Sequence, residues 1–228
     1  MTLVSDFLSL FYPQKCAACN KMLYLHEKDI CNHCYLNLPL TGYTNYRGNP
    51  IEQIFWGRVP IVSAASFLFF HKGSKVQRLL HGIKYKGRMD AGRRAGEWFG
   101  AILKSEDSFS TCEIIVPVPL HKKKLRERGY NQSLCFAEGL SKTMGIPVNT
   151  HVLQRVEYTS TQTKESKFSR WENVQSLFEC TDNVAFKNKH VLLVDDVITT
   201  GATLEACTVA LLKTEGIKIS IASIAYAE

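Results

Sequence analysis

The stretch VLLVDDVITTGAT, residues 191–203, decides the fold. Its first four residues are apolar, and a short apolar run of this kind is typical of a strand buried on both faces of a parallel sheet. Two acids, Asp195 and Asp196, follow directly, and a small-residue loop then leads into a predicted helix that begins near residue 204. In a parallel α/β sheet, ligands bind beyond the carboxyl ends of the strands. We therefore expect the acid pair at the rim of a binding site.

The loop after the acids has the composition of an anion site. Thr199, Thr200 and Thr203 can supply hydroxyl donors, while Gly201 and Ala202 allow an anion to approach the backbone. Successive backbone N–H groups in such a loop, together with the positive end of the following helix, attract phosphate. The neighbouring carboxylates can accept hydrogen bonds from sugar hydroxyls and can help to hold a hydrated Mg2+. A sugar phosphate would fit both parts of the stretch.

Outward from this stretch, predicted strands and helices alternate along the chain. The apolar segments 61–70 and 113–120 predict strands, and Pro117 and Pro119 should end the second because proline cannot donate to a sheet ladder. A further short strand is expected near 151–156. Helices are predicted over the amphipathic segment that contains Val76, Leu79, Leu80 and Ile83, and over 91–104 and 132–145. This alternation indicates an α/β fold with a central, mainly parallel sheet flanked by helices.

The N-terminal part of the chain holds two C-x-x-C pairs, Cys16 with Cys19 and Cys31 with Cys34. Four thiolates at this spacing are typical of a closed structural Zn2+ site. An iron–sulfur centre also uses four thiolates, and the spacing alone leaves that alternative open. Disulfides are disfavoured because no export signal is recognised in the sequence. A closed site has no position for a substrate, so the metal would stabilise a small module or a partner contact.

The chain of 228 residues can form one domain of ordinary size and a smaller module. We expect an N-terminal helix and cysteine module over 1–45, a linker over 46–60 and the main domain over 61–228. The segment 157–181 is polar and lacks a strand period, which is typical either of a mobile functional lid or of a plain surface excursion. No stretch approaches the roughly 18 apolar residues of a membrane helix, and we expect a cytoplasmic protein without a membrane span.

The net charge of +7 is concentrated in two segments, 71–94 and 121–132. Such basic clusters suit phosphate-bearing partners, either nucleic acid or a phosphorylated small molecule. The alternative for each cluster is a solvated helix face.

The stretch VLLVDDVITTGAT closely resembles the phosphoribosyl pyrophosphate (PRPP) motif of the type I phosphoribosyltransferases. Four features follow one another along the chain: the four-cysteine pattern, KYKGR at 84–88, VPVPLHKKKLRERGYNQ at 116–132 and the acid pair. In this order they resemble the ComF family, the ComFC-type competence proteins and their relatives, over nearly all of the chain. The resemblance implies a type I phosphoribosyltransferase-like fold with a small N-terminal zinc module.

The resemblance also implies roles for individual residues. Asp195 and Asp196 would be the catalytic acids that hold the ribose hydroxyls, and the loop from Thr199 to Thr203 would hold the 5'-phosphate. The basic segment after VPVP, which we predict to be a loop, would grip the pyrophosphate. The segment 157–181 would be a flexible hood that closes over PRPP. The candidate cations for pyrophosphate are Lys122, Lys123, Lys124, Arg126 and Arg128, and those of the hood are Lys164, Lys167 and Arg170.

Two functions follow from the resemblance. The first is Mg2+-dependent phosphoribosyl transfer from PRPP to an acceptor that the sequence does not identify, in a protein that acts in DNA uptake. The second is an accessory protein that binds single-stranded DNA, with a regulatory or vestigial PRPP site and a zinc module that docks to a competence helicase. Tyr85 and Tyr130, which lie near the basic clusters, would suit stacked bases, whereas we expect Phe136 in the core.

Overall fold

The main sheet has four parallel strands, β1 (Ser63–Phe70), β2 (Ile114–Pro117), β5 (His190–Ile198) and β6 (Lys218–Ala227). The computed structural model describes residues 14–24, 26–156, 177–182 and 184–228. The strand order is β1-β6-β5-β2, so β5 lies inside the sheet, and the prediction of a central strand from 191–194 is confirmed. A separate antiparallel pair is formed by β3 (Leu153–Arg155) and β4 (Phe178–Cys180).

Helices cover both faces of the main sheet. The described helices are α1 (Asn32–Leu36), α2 (Pro50–Gln53), α3 (Lys75–Tyr85), α4 (Met89–Leu103), α5 (Asp107–Ser110), α6 (Lys122–Arg128), α7 (Gln132–Met144) and α8 (Ala202–Leu211). Within the ranges that the structure describes, no helix combines the length and the apolar character that crossing a membrane requires.

The sheet separates two apolar clusters. Leu192 and Val194 of β5 belong to the cluster that contains α3, α4 and α7, together with the cysteine module. Val191 and Leu193 belong to the opposite cluster, with α2, α8 and the β3–β4 pair. Because both faces of β5 are covered, its apolar residues form a continuous run instead of alternating with polar ones.

Two neighbouring helices, α4 and α7, approach each other closely on one face of the sheet. A Cβ atom at Gly139 would lie 2.0 Å from the carbonyl oxygen of Arg93, and one at Gly96 would lie 2.2 Å from that of Phe136. Only glycine allows the two backbones to approach to this distance. Phe136 is fully buried at this contact, as predicted. The close packing fixes α7, which carries one of the site residues at its first turn.

The segment predicted as a linker, 46–60, packs against the main domain. Asn49 caps α2 by accepting a hydrogen bond from the N–H of Ile51 (2.9 Å), and its amide donates to the carbonyl of Ala64 (3.0 Å). Ile51 and Phe55 are fully buried in the cluster around α8. We call residues 48–58 the brace. The irregular composition of this segment did not indicate that it would pack against the main domain. The domain boundary within 46–60 stays a prediction.

The cysteine module lies against α3 and α4. The guanidinium of Arg78 donates from Nε to the carbonyl of Ala18 (2.9 Å), and that of Arg88 donates to the carbonyl of Lys15. The rings of Tyr35 and Trp98 also meet, with centroids 4.3 Å apart. The described part of the module therefore shares the core of the main domain.

Some predictions fall outside the described residues. They concern residues 1–13, which make up most of the stretch 1–16 predicted as an N-terminal helix, and the hood cations Lys164, Lys167 and Arg170. The last part of the predicted hood is described and contains β4, which pairs with β3. The segment 157–181 is therefore not irregular throughout, because strand β4 occupies its end.

Candidate functional site

The acid pair lies inside β5, which continues to Ile198 and does not stop before the acids as the apolar run suggested. Oδ1 of Asp195 accepts hydrogen bonds from the hydroxyl of Ser133 (2.9 Å) and from the backbone N–H of Asp196 (2.8 Å). Oδ2 of Asp196 lies 2.9 Å from Nζ of Lys84. Helices α7 and α3 therefore each supply one partner for the pair.

The environment of the pair disfavours two full negative charges. Asp195 is partly buried, and Asp196 is only 6% exposed. Loss of hydration on burial, together with the charge of Asp196, raises the pKa of Asp195 to about 7. Although Lys84 is within ion-pair distance, Oδ2 of Asp196 receives no hydrogen bond of ordinary geometry from the described residues. Such a buried oxygen has capacity to accept a hydroxyl group from a ligand.

The small-residue loop and the start of α8 form a cavity of about 40 Å³ beside Asp195. Gly201 is the N-cap of α8 and has a left-handed backbone, with a φ of 74°. Glycine has no side chain to cap the helix, and the N–H of Ala202 makes only a long hydrogen bond to the hydroxyl of Thr200 (3.5 Å). The first turn can therefore donate N–H groups to a ligand. The cavity brings together these predicted site residues: Asp195, Thr199, Thr200, Gly201, Ala202 and Thr203.

The brace supports this loop from behind. Nη1 of Arg58 donates to the carbonyls of Ile54 (2.9 Å) and Thr200 (2.8 Å), and Nη2 forms an ion pair with the carboxylate of Glu205 in α8. A Cβ atom at Gly201 would lie 2.7 Å from Cγ2 of Ile54. The loop is therefore fixed both by a hydrogen bond to its backbone and by close packing.

The basic segment after β2 was predicted as a loop, and the structure shows that most of it is helix α6. His121 caps this helix by accepting from the N–H of Lys123 (3.1 Å), and Gly129, with a φ of 77°, ends it. Of the five predicted pyrophosphate cations, Lys124 and Arg128 line a pocket of about 330 Å³. The other three, Lys122, Lys123 and Arg126, have exposed side chains on α6.

This pocket is the second concave surface near the acid pair, and we call it the α6 pocket. Its lining residues are Lys84, Tyr85, Gly87, Lys124, Glu127, Arg128 and Tyr130. The guanidinium carbon of Arg128 lies 5.1 Å from the centroid of the Tyr85 ring, a distance at which a cation and an aromatic face attract. Lys84 connects the α6 pocket with the acid pair, because its side chain lines the α6 pocket and contacts Asp196.

Three site residues were not predicted from the sequence as site residues. Lys84 lies in KYKGR, which served only as a family signature, and Ser133 is a buried hydroxyl at the start of α7. Arg58 lies in a segment without a regular period and gave no signal. All three act across long sequence separations, so only the packing of the helices and of the brace reveals them.

The four N-terminal cysteines form a cluster whose sulfur atoms all lie within 4.8 Å of one another. They are free thiols, and the Sγ atoms of Cys19 and Cys31 are 3.8 Å apart, far beyond the length of a disulfide bond. Backbone N–H groups of Cys31 and Cys34 donate to Sγ of Cys16 (3.3 Å) and of Cys31 (3.4 Å), respectively. The cluster can hold a metal ion such as zinc, and His33 is exposed beside it, as expected.

The electrostatics of the cluster suit a cation. Burial raises the pKa of Cys34 well above that of an ordinary thiol, and its sulfur neighbours raise it further. Burial also opposes ionisation of Cys16, but backbone hydrogen bonds, led by that of Cys31, lower its pKa to about 7. Four thiolates can exist together in this volume only if a positive ion offsets their charge.

Comparison with known proteins defines the class of the main domain. A family model described as "Phosphoribosyl transferase domain" matches residues 131–228, which contain Ser133, the acid pair and the small-residue loop. Together with the parallel sheet and its flanking helices, this match defines a type I phosphoribosyltransferase-like fold with an N-terminal four-cysteine cluster.

Curated sequence relatives of the chain are competence and DNA utilization proteins. "Competence protein F" of Haemophilus influenzae is 26% identical over 89% of this chain and 93% of its own length. "Competence protein ComFC" of Bacillus subtilis is 35% identical over 44% of this chain and 38% of its own length. "DNA utilization protein YhgH" of Salmonella typhi is 32% identical over 43% of each chain. These relatives support the resemblance of the chain to the ComF family.

Solved structures of phosphoribosyltransferases are also similar. The glutamine PRPP amidotransferase from Bacillus subtilis is 20% identical, covering 62% of this chain and 30% of that chain, with a TM-score of 0.42. The adenine phosphoribosyltransferase from Trypanosoma brucei is 11% identical, covering 69% of this chain and 82% of that chain, with a TM-score of 0.40.

Proposed function

We propose that this protein binds PRPP at the acid pair and the small-residue loop, as a Mg2+-dependent phosphoribosyltransferase of the ComF family acting in DNA uptake. The observation that carries the proposal is the arrangement of Asp195 and residues 199–203 around one cavity. Asp196, the next residue of β5, adds a buried carboxylate oxygen. The names of the relatives, competence proteins and a DNA utilization protein, support the biological role. The acceptor of the ribose is not part of the proposal.

Each part of the site suits one part of PRPP. The 5'-phosphate would bind the loop and the first turn of α8, where backbone N–H groups and threonine hydroxyls can donate to it. The ribose hydroxyls would donate to Asp195 and Asp196. The pyrophosphate would bind the cations that α6 supplies, and of these Lys124 and Arg128 line the α6 pocket. Lys164, Lys167 and Arg170 are proposed as hood contacts by family resemblance.

The chemistry would consist mainly of charge stabilisation. The carboxylate oxygens of Asp195 and Asp196 would help to hold the hydration shell of a Mg2+ ion bound with PRPP, and this ion would supply positive charge to the pyrophosphate. The carboxylates of the chain would stabilise the positive charge that develops on the ribose ring as the bond to pyrophosphate breaks. The cations of α6 would stabilise the leaving group. Ser133 holds Asp195 in position for this role.

Calorimetry with PRPP and Mg2+ tests the proposal. The double variant Asp195→Asn with Asp196→Asn should bind PRPP too weakly to measure, because each side chain keeps its size but loses its charge and one of its two acceptor oxygens. Asp107→Asn, an exposed acid in α5, is the matched control and should bind as the wild type does. Full affinity in the double variant would overturn the assignment of the site.

We also propose that Cys16, Cys19, Cys31 and Cys34 hold one structural Zn2+. Elemental analysis of the purified protein should find about one zinc per chain, because four thiolates complete a tetrahedral site. Cys31→Ser should lose the metal, whereas Cys180→Ser, a cysteine outside the cluster, should retain it. Iron in place of zinc, with the visible absorption of a cluster, would contradict the assignment.

A second candidate function is the binding of single-stranded DNA, with the PRPP site in a regulatory role and the cysteine module in contact with a competence helicase. The observation that favours it is Tyr85, which is 63% exposed beside the cations of α6 and could stack with a base. DNA affinity should then fall by about ten-fold or more between 50 and 200 mM salt, as expected for several phosphate contacts. Undetectable or salt-insensitive binding would exclude this candidate.

A further inference from the structure

We infer that Lys84 is a ligand-binding residue that contacts the acid pair and the pyrophosphate of PRPP at the same time. This inference rests on the proposed function and extends it to a residue outside the PRPP motif. Lys84 belongs to the last turn of α3, on a different element from both the acid pair and the α6 cations.

The position of Lys84 supports this role. Its Nζ atom lies 2.9 Å from Oδ2 of Asp196, and its side chain, 25% exposed, also lines the α6 pocket with Lys124 and Arg128. Asp196 itself does not line that pocket. Among the described residues, Lys84 is therefore the side chain that belongs to both parts of the site.

The charges of the α6 pocket favour a compact polyanion. Three cations, Lys84, Lys124 and Arg128, face one acid, Glu127. An ammonium group has three N–H donors and can contact a carboxylate and a phosphate oxygen together. Lys84 can therefore keep its ion pair with Asp196 while it binds a pyrophosphate oxygen, which sets the distance between the leaving group and the acids that hold the ribose.

The competing interpretation is that Lys84 only neutralises a buried acid. Removing one partner of a buried ion pair leaves an uncompensated charge. If Lys84 has only this structural role, its replacement should weaken the binding of every ligand of the site through misfolding or distortion. If Lys84 binds the ligand, its replacement should lower the affinity for one part of PRPP and not for the other. The two interpretations therefore predict different results for pyrophosphate and for ribose 5-phosphate.

The decisive experiment is calorimetry of Lys84→Met with inorganic pyrophosphate and with ribose 5-phosphate as separate probes, each with Mg2+. Pyrophosphate affinity should fall by about ten-fold or more, the size expected for a lost charge-assisted hydrogen bond. Ribose 5-phosphate affinity should not fall, because Asp196 becomes free to accept a hydroxyl. Lys86→Met, an exposed lysine two residues further along the chain that does not line the α6 pocket, is the matched control and should leave both affinities unchanged.

A second comparison keeps the inference testable if Lys84→Met does not fold. Lys84→Met combined with Asp196→Asn removes both charges, and its reference is Asp196→Asn alone. The double variant should bind pyrophosphate about ten-fold more weakly than that reference. Equal pyrophosphate affinity in either comparison, or an equal loss for both probes in Lys84→Met, overturns the inference. If the wild type does not bind PRPP, the proposed function itself fails.

Discussion

The two halves of the candidate site are held in different ways. The loop half, residues 199–203, continues from a buried strand into α8 and is backed by the brace, with Arg58 bonded to its backbone. The α6 half is a seven-residue helix without a buried residue. The position of the two halves in the fold does not explain the difference, since each half comes after the carboxyl end of a strand of the same sheet.

The difference separates two ways of binding an anion. The loop half presents fixed backbone donors, so a phosphate can bind there without reordering the chain. The α6 half presents mostly exposed side chains, so an anion must restrict them and overcome their conformational entropy. We therefore expect the loop half to dominate affinity for the 5'-phosphate and the α6 half to contribute smaller, salt-dependent increments.

The largest expected effect comes from Gly201→Ala. An alanine must adopt the left-handed backbone at this position, and its Cβ would lie within 2.7 Å of Ile54. Strain and overpacking together should lower the free energy of unfolding by about 2 kcal/mol or more. The displaced loop should also lose measurable affinity for ribose 5-phosphate. Chemical denaturation and calorimetry measure the two effects.

Gly145→Ala is the control for Gly201→Ala. Gly145 has a similar φ of 78° at the end of α7, but a Cβ there would meet no atom within 4 Å. This variant should lose about 1 kcal/mol of stability from backbone strain alone and keep its affinity. If Gly201→Ala behaved like Gly145→Ala, the close packing of the loop against the brace would contribute neither to stability nor to ligand affinity.

A smaller effect is expected from Arg58→Ala, which removes the hydrogen bond to Thr200 and the ion pair to Glu205. The side chain of Arg58 is one-third exposed, so solvent weakens both contacts. Affinity for ribose 5-phosphate should fall by about 3- to 10-fold, because the loop becomes less ordered before binding. Arg47→Ala, an exposed arginine just before the brace, should have no effect. Equal affinities in the two variants would contradict a positioning role for Arg58.

The acid pair should also lower stability at alkaline pH. The pKa of Asp195 is raised on folding from 3.8 to about 7, so the protonated acid favours the folded state. Stability from this group is therefore greatest at acid pH and is lost as the pH rises through about 7. Asp195→Asn should then raise the Tm more at pH 8 than at pH 5, by about 2 °C or more. An equal change at both pH values would contradict a raised pKa.

The sequence predicted those parts of the site that are contiguous in the chain. The acid pair, the threonine and glycine loop and the C-x-x-C pairs each reflect a local geometry that their residue types require. Lys84, Ser133 and Arg58 could not be predicted, because their roles depend on where α3, α7 and the brace pack. The α6 segment was predicted as a loop because its charges dominate its pattern and it buries no apolar face.

The smallest effect is expected from single exposed cations of α6. Lys123→Ala should change PRPP affinity by about 3-fold or less at 150 mM salt, because its exposed charge is screened there. Lys124→Ala, which changes a cation that lines the α6 pocket, should have a larger effect that is greater at 50 mM than at 200 mM salt. Calorimetry at the three salt concentrations separates the two lysines. If Lys123→Ala reduced the affinity as much as Arg58→Ala does, α6 would be as fixed as the loop, and the contrast between the two halves of the site would be wrong.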